Sequence, residues 1–475
     1  MLHVSTRGGA APLGFTDAML AGLAEDGGLY VPENLPRLAP ETIAGLAGRP
    51  YAEAAATVLG PLLDGEVPAD ALAAMTRDAY AGFRHPATCP LVQIGDNLFV
   101  LELFHGPTLA FKDVAMQLLG RLMDRALSLR GARATIVGAT SGDTGSAAVE
   151  AFGGLDRVDV FILYPHGRVS EVQRRQMTSV GADNVHALAV DGTFDDCQAI
   201  VKALFGRRAF RDEVGLSGVN SINWARVAAQ AVYYFTAAVA LGAPHRAVSF
   251  AVPTGNFGDV LAGHVAKRMG LPIARLMVGT NANDILARTL ASGAYETRGV
   301  AQTTSPSMDI QVSSNFERLI FEANGRDAAA VARLMAGLKQ SGAFTLEPAT
   351  LERIRAEFDA RAVPEVEVAA EIARTLDEAG YLLDPHSAVG VRAARALLAA
   401  DPATPVVALA TAHPAKFPDA VAAATGGRAR PVLPPHLADL MGRPERTTRV
   451  ANDEAAVEAL IRSRARAAGR TRIPA

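Results

Sequence analysis

Cysteine is nearly absent from this chain: Cys89 and Cys197 are the two among 475 residues. Two thiols cannot supply a disulfide framework or a four-cysteine zinc site, and their scarcity suits a reducing compartment. An excess of one charge is missing too. Lys and Arg number 46 against 49 Asp and Glu, so the net charge of -3 gives no electrostatic basis for binding nucleic acid or an anionic membrane. No apolar run reaches the roughly 18 residues of a membrane span, and "MLHVSTRGG" at the N-terminus carries no signal-peptide core. The histidines are scattered without ligand spacing, so no catalytic metal is expected. Internal repeats and low-complexity linkers are lacking as well. The expectation is a globular, cytoplasmic protein that binds neither nucleic acid nor membrane, and at 49% hydrophobic it is long enough for two or three domains.

What is present is an α/β rhythm: β-branched runs lead through Gly-rich turns into alanine-rich helices. "RATIVGATSGDTGSAAVEAFGG" passes from a strand through Gly138 to Gly145 into a helix that stops at Gly153 and Gly154. "AVSFAVPTGNFGDVLAGHVAKRMGLPIARLMVGT" repeats the plan with its loop at Pro253 to Gly258. In "TPVVALATAHPAKFPDAVAAA" the strand delivers Thr411 at its carboxyl end, where open α/β sheets form their ligand crevice. The expected organisation is an N-terminal domain over 1–90, an α/β region over 91–240, and a second α/β region over 241–430. A helical insertion with a charged surface is expected near 316–376, and a helical appendage over 431–475.

The loop "VPTGNFGD" joins a strand to a helix start, so its N–H groups and the helix dipole favour an anion, and its glycines permit close approach. Neither it nor "GATSGDTG" contains G-x-G-x-x-G or G-x-x-x-x-G-K-[ST], which removes the dinucleotide and P-loop readings. Lys112 lies between Phe111 and an apolar helical run. Taken alone, such a lysine keeps its stem on the apolar surface and its ammonium in water. The alternative is a desolvated amine of lowered pKa that bonds a carbonyl and carries protons. That chemistry needs an aldehyde cofactor, and pyridoxal phosphate would also bring a phosphate for a loop such as Gly255 to Gly258.

Six motifs, "FHGPTLAFKD", "GATSGDTG", "PTGNFGD", "SPSMDIQVSSNFERL", "DPHSAVG" and "TAHPAKF", stand in the order found in threonine synthase, and "STRGGAAPLGF" with "DGGLYVPE" is similar to that family's N-terminal domain. The chain resembles threonine synthase of the longer bacterial and fungal type over nearly its whole length. The resemblance implies a fold type II pyridoxal-phosphate enzyme, tryptophan synthase β-like, with two open α/β domains and an N-terminal domain outside them. By the same resemblance Lys112 matches the lysine that forms an imine with the cofactor. Gly255, Asn256, Phe257, Gly258 and Asp259 match the loop for the cofactor phosphate, and Thr411 matches the hydroxyl at the pyridine nitrogen. "TSGDTG" resembles the loop for the substrate carboxylate, with Ser141, Gly142, Asp143 and Thr144 as candidates; a capped helix start is compatible with that role.

For a substrate phosphate, "NSINWARV" offers Asn220, Ser221, Asn223 and Arg226, and "GRVSEVQRRQM" offers Arg168 with Ser170 and Gln173. Arg226 follows Asn223 by about one helical turn, so both could face a cleft. His105 and His386 sit in family motifs without an assigned role. The implied reaction converts O-phospho-L-homoserine and water to L-threonine and phosphate, the last step of threonine biosynthesis, as a γ-elimination followed by β-addition of water. Two other readings stay open: a different type II lyase such as threonine dehydratase or cysteine synthase, and a non-catalytic relative that binds pyridoxal phosphate or a phosphorylated metabolite. The sequence leaves the oligomeric state, monomer or dimer, open.

Overall fold

The computed structural model describes residues 1–467. Two sheets carry the chain. The larger has six strands in the order Phe358–Ala362, Ile273–Thr280, Val248–Pro253, Val406–Ala410, Leu98–Glu102 and Leu91–Gly95. Its neighbours run parallel except for the last two, which form an antiparallel pair. The smaller has five strands, Thr448–Val450, Val185–Val190, Val158–Pro165, Ala134–Ala139 and Leu216–Ser217, all parallel.

The central strands are apolar along their whole length because helices cover both faces. "VDVFILYP" over Val158–Pro165 and "VVALA" over Val406–Ala410 are buried at every position. The helix Lys112–Leu129 packs on Trp224–Ala240, whose tyrosines and alanines lie in the same core. Before these sheets stands an N-terminal unit of a two-stranded ribbon, His3–Ser5 with Tyr30–Pro32, and helices that include Tyr51–Leu63 and Ala69–Tyr80. It docks through Arg7, whose guanidinium holds Glu317 at 2.8 Å, and through Asn223, which donates to the Met19 carbonyl at 2.8 Å.

Three expectations of layout are revised. The strands Leu91–Gly95 and Leu98–Glu102 fall in the expected 91–240 region, yet they hydrogen-bond into the sheet built by 241–430. The 316–376 segment is not a wholly helical surface, because Phe316–Ala323 is buried and Phe358–Ala362 closes the edge of the larger sheet. The tail after residue 430 is more than a helix: Thr448–Val450 adds a strand beside Val185–Val190 before the helix Glu454–Arg464. In both strands charged residues stand at the sheet edge, Asp359 and Arg361 in one and Arg449 in the other, so their apolar alternation is weak in the sequence.

Candidate active site

A cavity of ≈ 440 Å³ opens between the two sheets at the carboxyl ends of their strands. Lys112 reaches it from the first position of its helix. The chain ahead of that helix is tied to the strand end of the larger sheet, since Phe111 N–H donates to Thr411 O at 2.9 Å. The lysine is buried, and its ammonium lies 4.7 Å from the Phe111 ring centroid and 3.3 Å from Asp143 Oδ2. Burial lowers its pKa, the Asp143 charge opposes that shift, and the nearby Lys416 and Arg226 charges reinforce it. Such an amine sheds its proton more readily than an ordinary lysine.

The loop over Thr140–Thr144 is held from inside. Thr140 Oγ1 accepts from the N–H groups of Gly142 and Gly145, both at 2.9 Å. Gly142 has φ +144°, and a Cβ there would lie 2.4 Å from Gln173 Cδ, so only glycine suits the position. Asp143 meets four donors: Gln173 Nε2 at 2.8 Å, Lys416 at 2.7 Å, Lys112 at 3.3 Å and Ser307 Oγ at 3.2 Å. These cations hold its carboxyl well below the usual range despite burial. Its carboxylate is therefore turned to the protein's own cations, while Ser141 and Thr144 line the cavity with the loop backbone.

The second loop presents backbone. Phe257 takes φ +64° at the cap of helix Gly258–Arg268, and its ring turns into the core against Phe316 and Phe358. Pro253, Thr254, Gly255, Asn256 and Gly258 line the cavity. A Cβ on Gly255 would come within 2.9 Å of Ser307 O, so the loop packs closely on the neighbouring Ser307–Met308 backbone. Asp259 also lines the cavity, but Tyr234 donates to it at 3.1 Å and Tyr233 donates to the same oxygen. Burial pushes its carboxyl up to about 6, and its Oδ2 has no partner.

Asn220, Ser221 and Arg226 face the same space. Arg226 is 3% exposed, donates through Nη1 to Val219 O at 3.1 Å, and leaves Nε without an acceptor. Gln230 Oε1, one turn on, is also unpartnered. A buried guanidinium with an unused donor at a cavity wall is a site for an anion. Two expected residues lie outside the cavity wall. Arg168 is exposed in the loop after Val158–Pro165, and Asn223 is buried as the N-cap of Trp224–Ala240.

Other residues at the site were not assigned from sequence. Lys416 is fully buried behind Asp143, and Ser307 bridges Asp143 to His386, whose Nε2 accepts from Ser307 N–H at 3.2 Å. His386 Nδ1 lies 2.8 Å from Asp384, which fixes the ring. Their motifs, "SPSMD", "DPHSAVG" and "TAHPAKF", were the available signal. The lining is chemically suited to pyridoxal phosphate: the desolvated amine of Lys112 could take its aldehyde, the backbone at the start of Gly258–Arg268 could take its phosphate, and Thr411, which also lines the cavity, carries a hydroxyl that could meet its ring nitrogen.

Comparisons with known proteins converge on one family. Residues 2–80 match the family described as threonine synthase N terminus, 88–336 match pyridoxal-phosphate dependent enzyme, and 387–461 match threonine synthase, C-terminal. A threonine synthase from Pseudomonas aeruginosa is 53% identical over 461 residues, covering 97% of this chain and 98% of the relative. Among solved structures, the pyridoxal-phosphate-bound threonine synthase from Brucella melitensis superposes with a TM-score of 0.95 at 63% identity, covering 98% of this chain and 100% of that one. The yeast threonine synthase gives 0.91 at 39% identity, with 98% of each chain covered.

Proposed function

Since the chain belongs to the threonine synthase family, we propose that its cavity converts O-phospho-L-homoserine and water to L-threonine and phosphate, with the residue roles that follow. Bound pyridoxal phosphate supplies the electron sink for charge that develops on the substrate carbons. Lys112 holds the cofactor and moves protons at the substrate Cα and Cβ, because its amine is buried at the cavity wall and its pKa is lowered. The backbone from Gly255 to Gly258 holds the cofactor phosphate, and the Thr411 hydroxyl meets the ring nitrogen. A hydroxyl there does not force protonation as a carboxylate would.

The loop orients the substrate carboxylate through the Ser141 and Thr144 hydroxyls and backbone, and Gly142, whose own N–H is taken by Thr140 Oγ1, gives the loop its turn. Asp143 contributes by orienting Lys112. Arg226, with Asn220 and Ser221, binds the substrate phosphate and aligns it for departure from Cγ; Arg168 and Asn223 have no place in this reading because neither lines the cavity. The cytoplasm is the proposed setting, from the two free, buried cysteines.

The observation that carries the assignment is the meeting, in one cavity, of a desolvated lysine, a glycine-rich helix start and an arginine with an unused donor. The test is to mix the purified protein with O-phospho-L-homoserine and assay threonine and phosphate together. Equal amounts are expected, and Lys112→Ala should abolish both along with the protein's visible absorbance band. Efficient turnover of unphosphorylated homoserine would end this reading, since a site with unpaired phosphate donors should reject it by ~10⁴-fold.

A further inference from the structure

Lys416 belongs to the turn Pro414–Lys416 after the strand that delivers Thr411, and it is 0% exposed. Its ammonium donates to Thr108 O at 2.8 Å and lies 2.7 Å from Asp143 Oδ1. Lys112 lies 3.3 Å from the other oxygen, Oδ2. One buried carboxylate thus stands between two buried ammonium groups. Lys416 is not part of the cavity wall, so it acts on the site through Asp143.

The charges explain why a second lysine matters. To bond an aldehyde, an amine must be unprotonated: its lone pair attacks the carbonyl carbon, a carbon–nitrogen double bond forms, and the oxygen leaves as water with the two protons of the nitrogen. A carboxylate facing Lys112 alone would hold the proton on that amine. Lys416 shares the carboxylate and repels the charge on Lys112. When Lys112 changes charge during the reaction, Lys416 still pairs with Asp143, whose burial alone would be costly.

The other ionisable groups around the trio do not replace it. Arg226 on Trp224–Ala240 and Asp259 on Gly258–Arg268 act on Lys112 from a distance, and His386 on Pro385–Ala400 acts on Asp143. Asp113, on the helix of Lys112 itself, is turned to the Thr108 N–H and hydroxyl at 2.8 and 2.6 Å.

We propose that Lys416 is a positioning residue of this site, the standing counter-ion of Asp143 that leaves the Lys112 amine free for the cofactor aldehyde. The proposal rests on the role of Lys112 given above. Full-length protein freed of cofactor is mixed with pyridoxal phosphate across a pH series, and the rise of visible absorbance is timed. Borohydride trapping and peptide mapping then locate the label. Lys416→Met should load about tenfold more slowly than the parent at neutral pH and converge with it at alkaline pH. Lys416→Arg, which keeps the charge, should retain the parent's profile.

A Lys416→Met profile that is unchanged, or lowered by one factor at every pH, overturns the proposal. Should that variant not fold, the double substitution Asp143→Asn with Lys416→Met removes both charges and should load without an alkaline shift; an alkaline shift there overturns it equally. A label on another lysine in the parent removes the Lys112 reading, whereas a label on Lys112 with an unshifted Lys416→Met profile removes this proposal alone.

Discussion

Arg318 and Arg226 are 1% and 3% exposed and make no ion pair among the described residues, yet their regions treat the guanidinium differently. Arg318 sits where the N-terminal unit meets the helix Phe316–Ala323. It donates to Tyr30 O from Nε at 3.0 Å and from Nη2 at 2.9 Å, to Ile222 O at 2.7 Å, and through Nη1 to Asn315 Oδ1. Its Cζ lies 5.6 Å from the Trp224 ring centroid. Arg226, at the cavity, has a carbonyl on Nη1 and nothing on Nε. Burial lowers the pKa of both. A buried cation whose donors are taken fastens the fold, and one with a donor left over at a cavity wall awaits a ligand.

This contrast predicts that the two arginines fail in opposite ways. Arg318→Met leaves three acceptors without that donor, and should destabilise the protein by about 3–5 kcal/mol in denaturant unfolding. Cofactor affinity should fall with it, because Asn315 also donates to Asn256 O and Ser221 O, both at 3.0 Å, and so ties the junction to two loops that line the cavity. Arg226→Met should cost about 2–4 kcal/mol of affinity for a phosphonate analogue of the substrate. Its effect on stability should be near zero, since the substitution removes an incompletely paired buried cation. An Arg226→Met protein that unfolds as readily as Arg318→Met would break the comparison.

Which parts of this were legible beforehand follows from how local they are. Lys112, the two glycine-rich loops and Thr411 are read from contiguous motifs, and the strand–loop–helix pattern puts the loops and Thr411 at strand ends. The pairing of Asp143 with Lys416 joins distant parts of the chain through the fold, and neither residue's neighbours in sequence signal it. Arg168 and Asn223 show the converse. Both stand in polar, loop-like stretches, yet Gly167 with φ +70° leaves Arg168 at the surface, and Asn223 accepts from Ala225 N–H as a helix cap. Residue type and spacing did not distinguish a cap from a ligand there, because Asn serves both.

The cofactor loop sharpens the comparison at smaller scale, since its two glycines face different neighbours. A Cβ at Gly255 would meet Ser307 O at 2.9 Å and Met308 Cα at 3.2 Å, which are backbone atoms that cannot swing aside. At Gly258 the nearest atoms are Asn315 Nδ2 at 3.3 Å and Ser221 O at 3.6 Å. Gly255→Ala should therefore weaken pyridoxal phosphate binding by about 1–3 kcal/mol, as overpacking does. Gly258→Ala should weaken it less. Equal affinities for both variants, measured by cofactor titration, would show that close packing on the Ser307–Met308 backbone does not set the loop's shape.

The smallest effect concerns acid at the junction itself. His3 is buried against Phe15 and Trp224, with ring centroids at 5.9 and 6.0 Å, and neither ring nitrogen has a partner. Burial lowers its pKa from 6.5 to about 4. The folded state therefore favours neutral His3 and the unfolded chain binds the proton more readily. Stability from this group is complete above pH 6.5 and drains away as pH falls toward 4. The loss between pH 8 and 6 should be about 1 kcal/mol. Trp224 is the one tryptophan of the chain, so its fluorescence reports this junction directly. In His3→Phe the unfolding midpoint followed at Trp224 should fall less between pH 8 and 6 than in the parent, while phosphonate binding should equal the parent's at each pH. An identical pH dependence in the two proteins would place the acid sensitivity elsewhere, and His413, also lowered to about 4 by burial and packed on Phe104 after the strand Val406–Ala410, would be the next residue to replace.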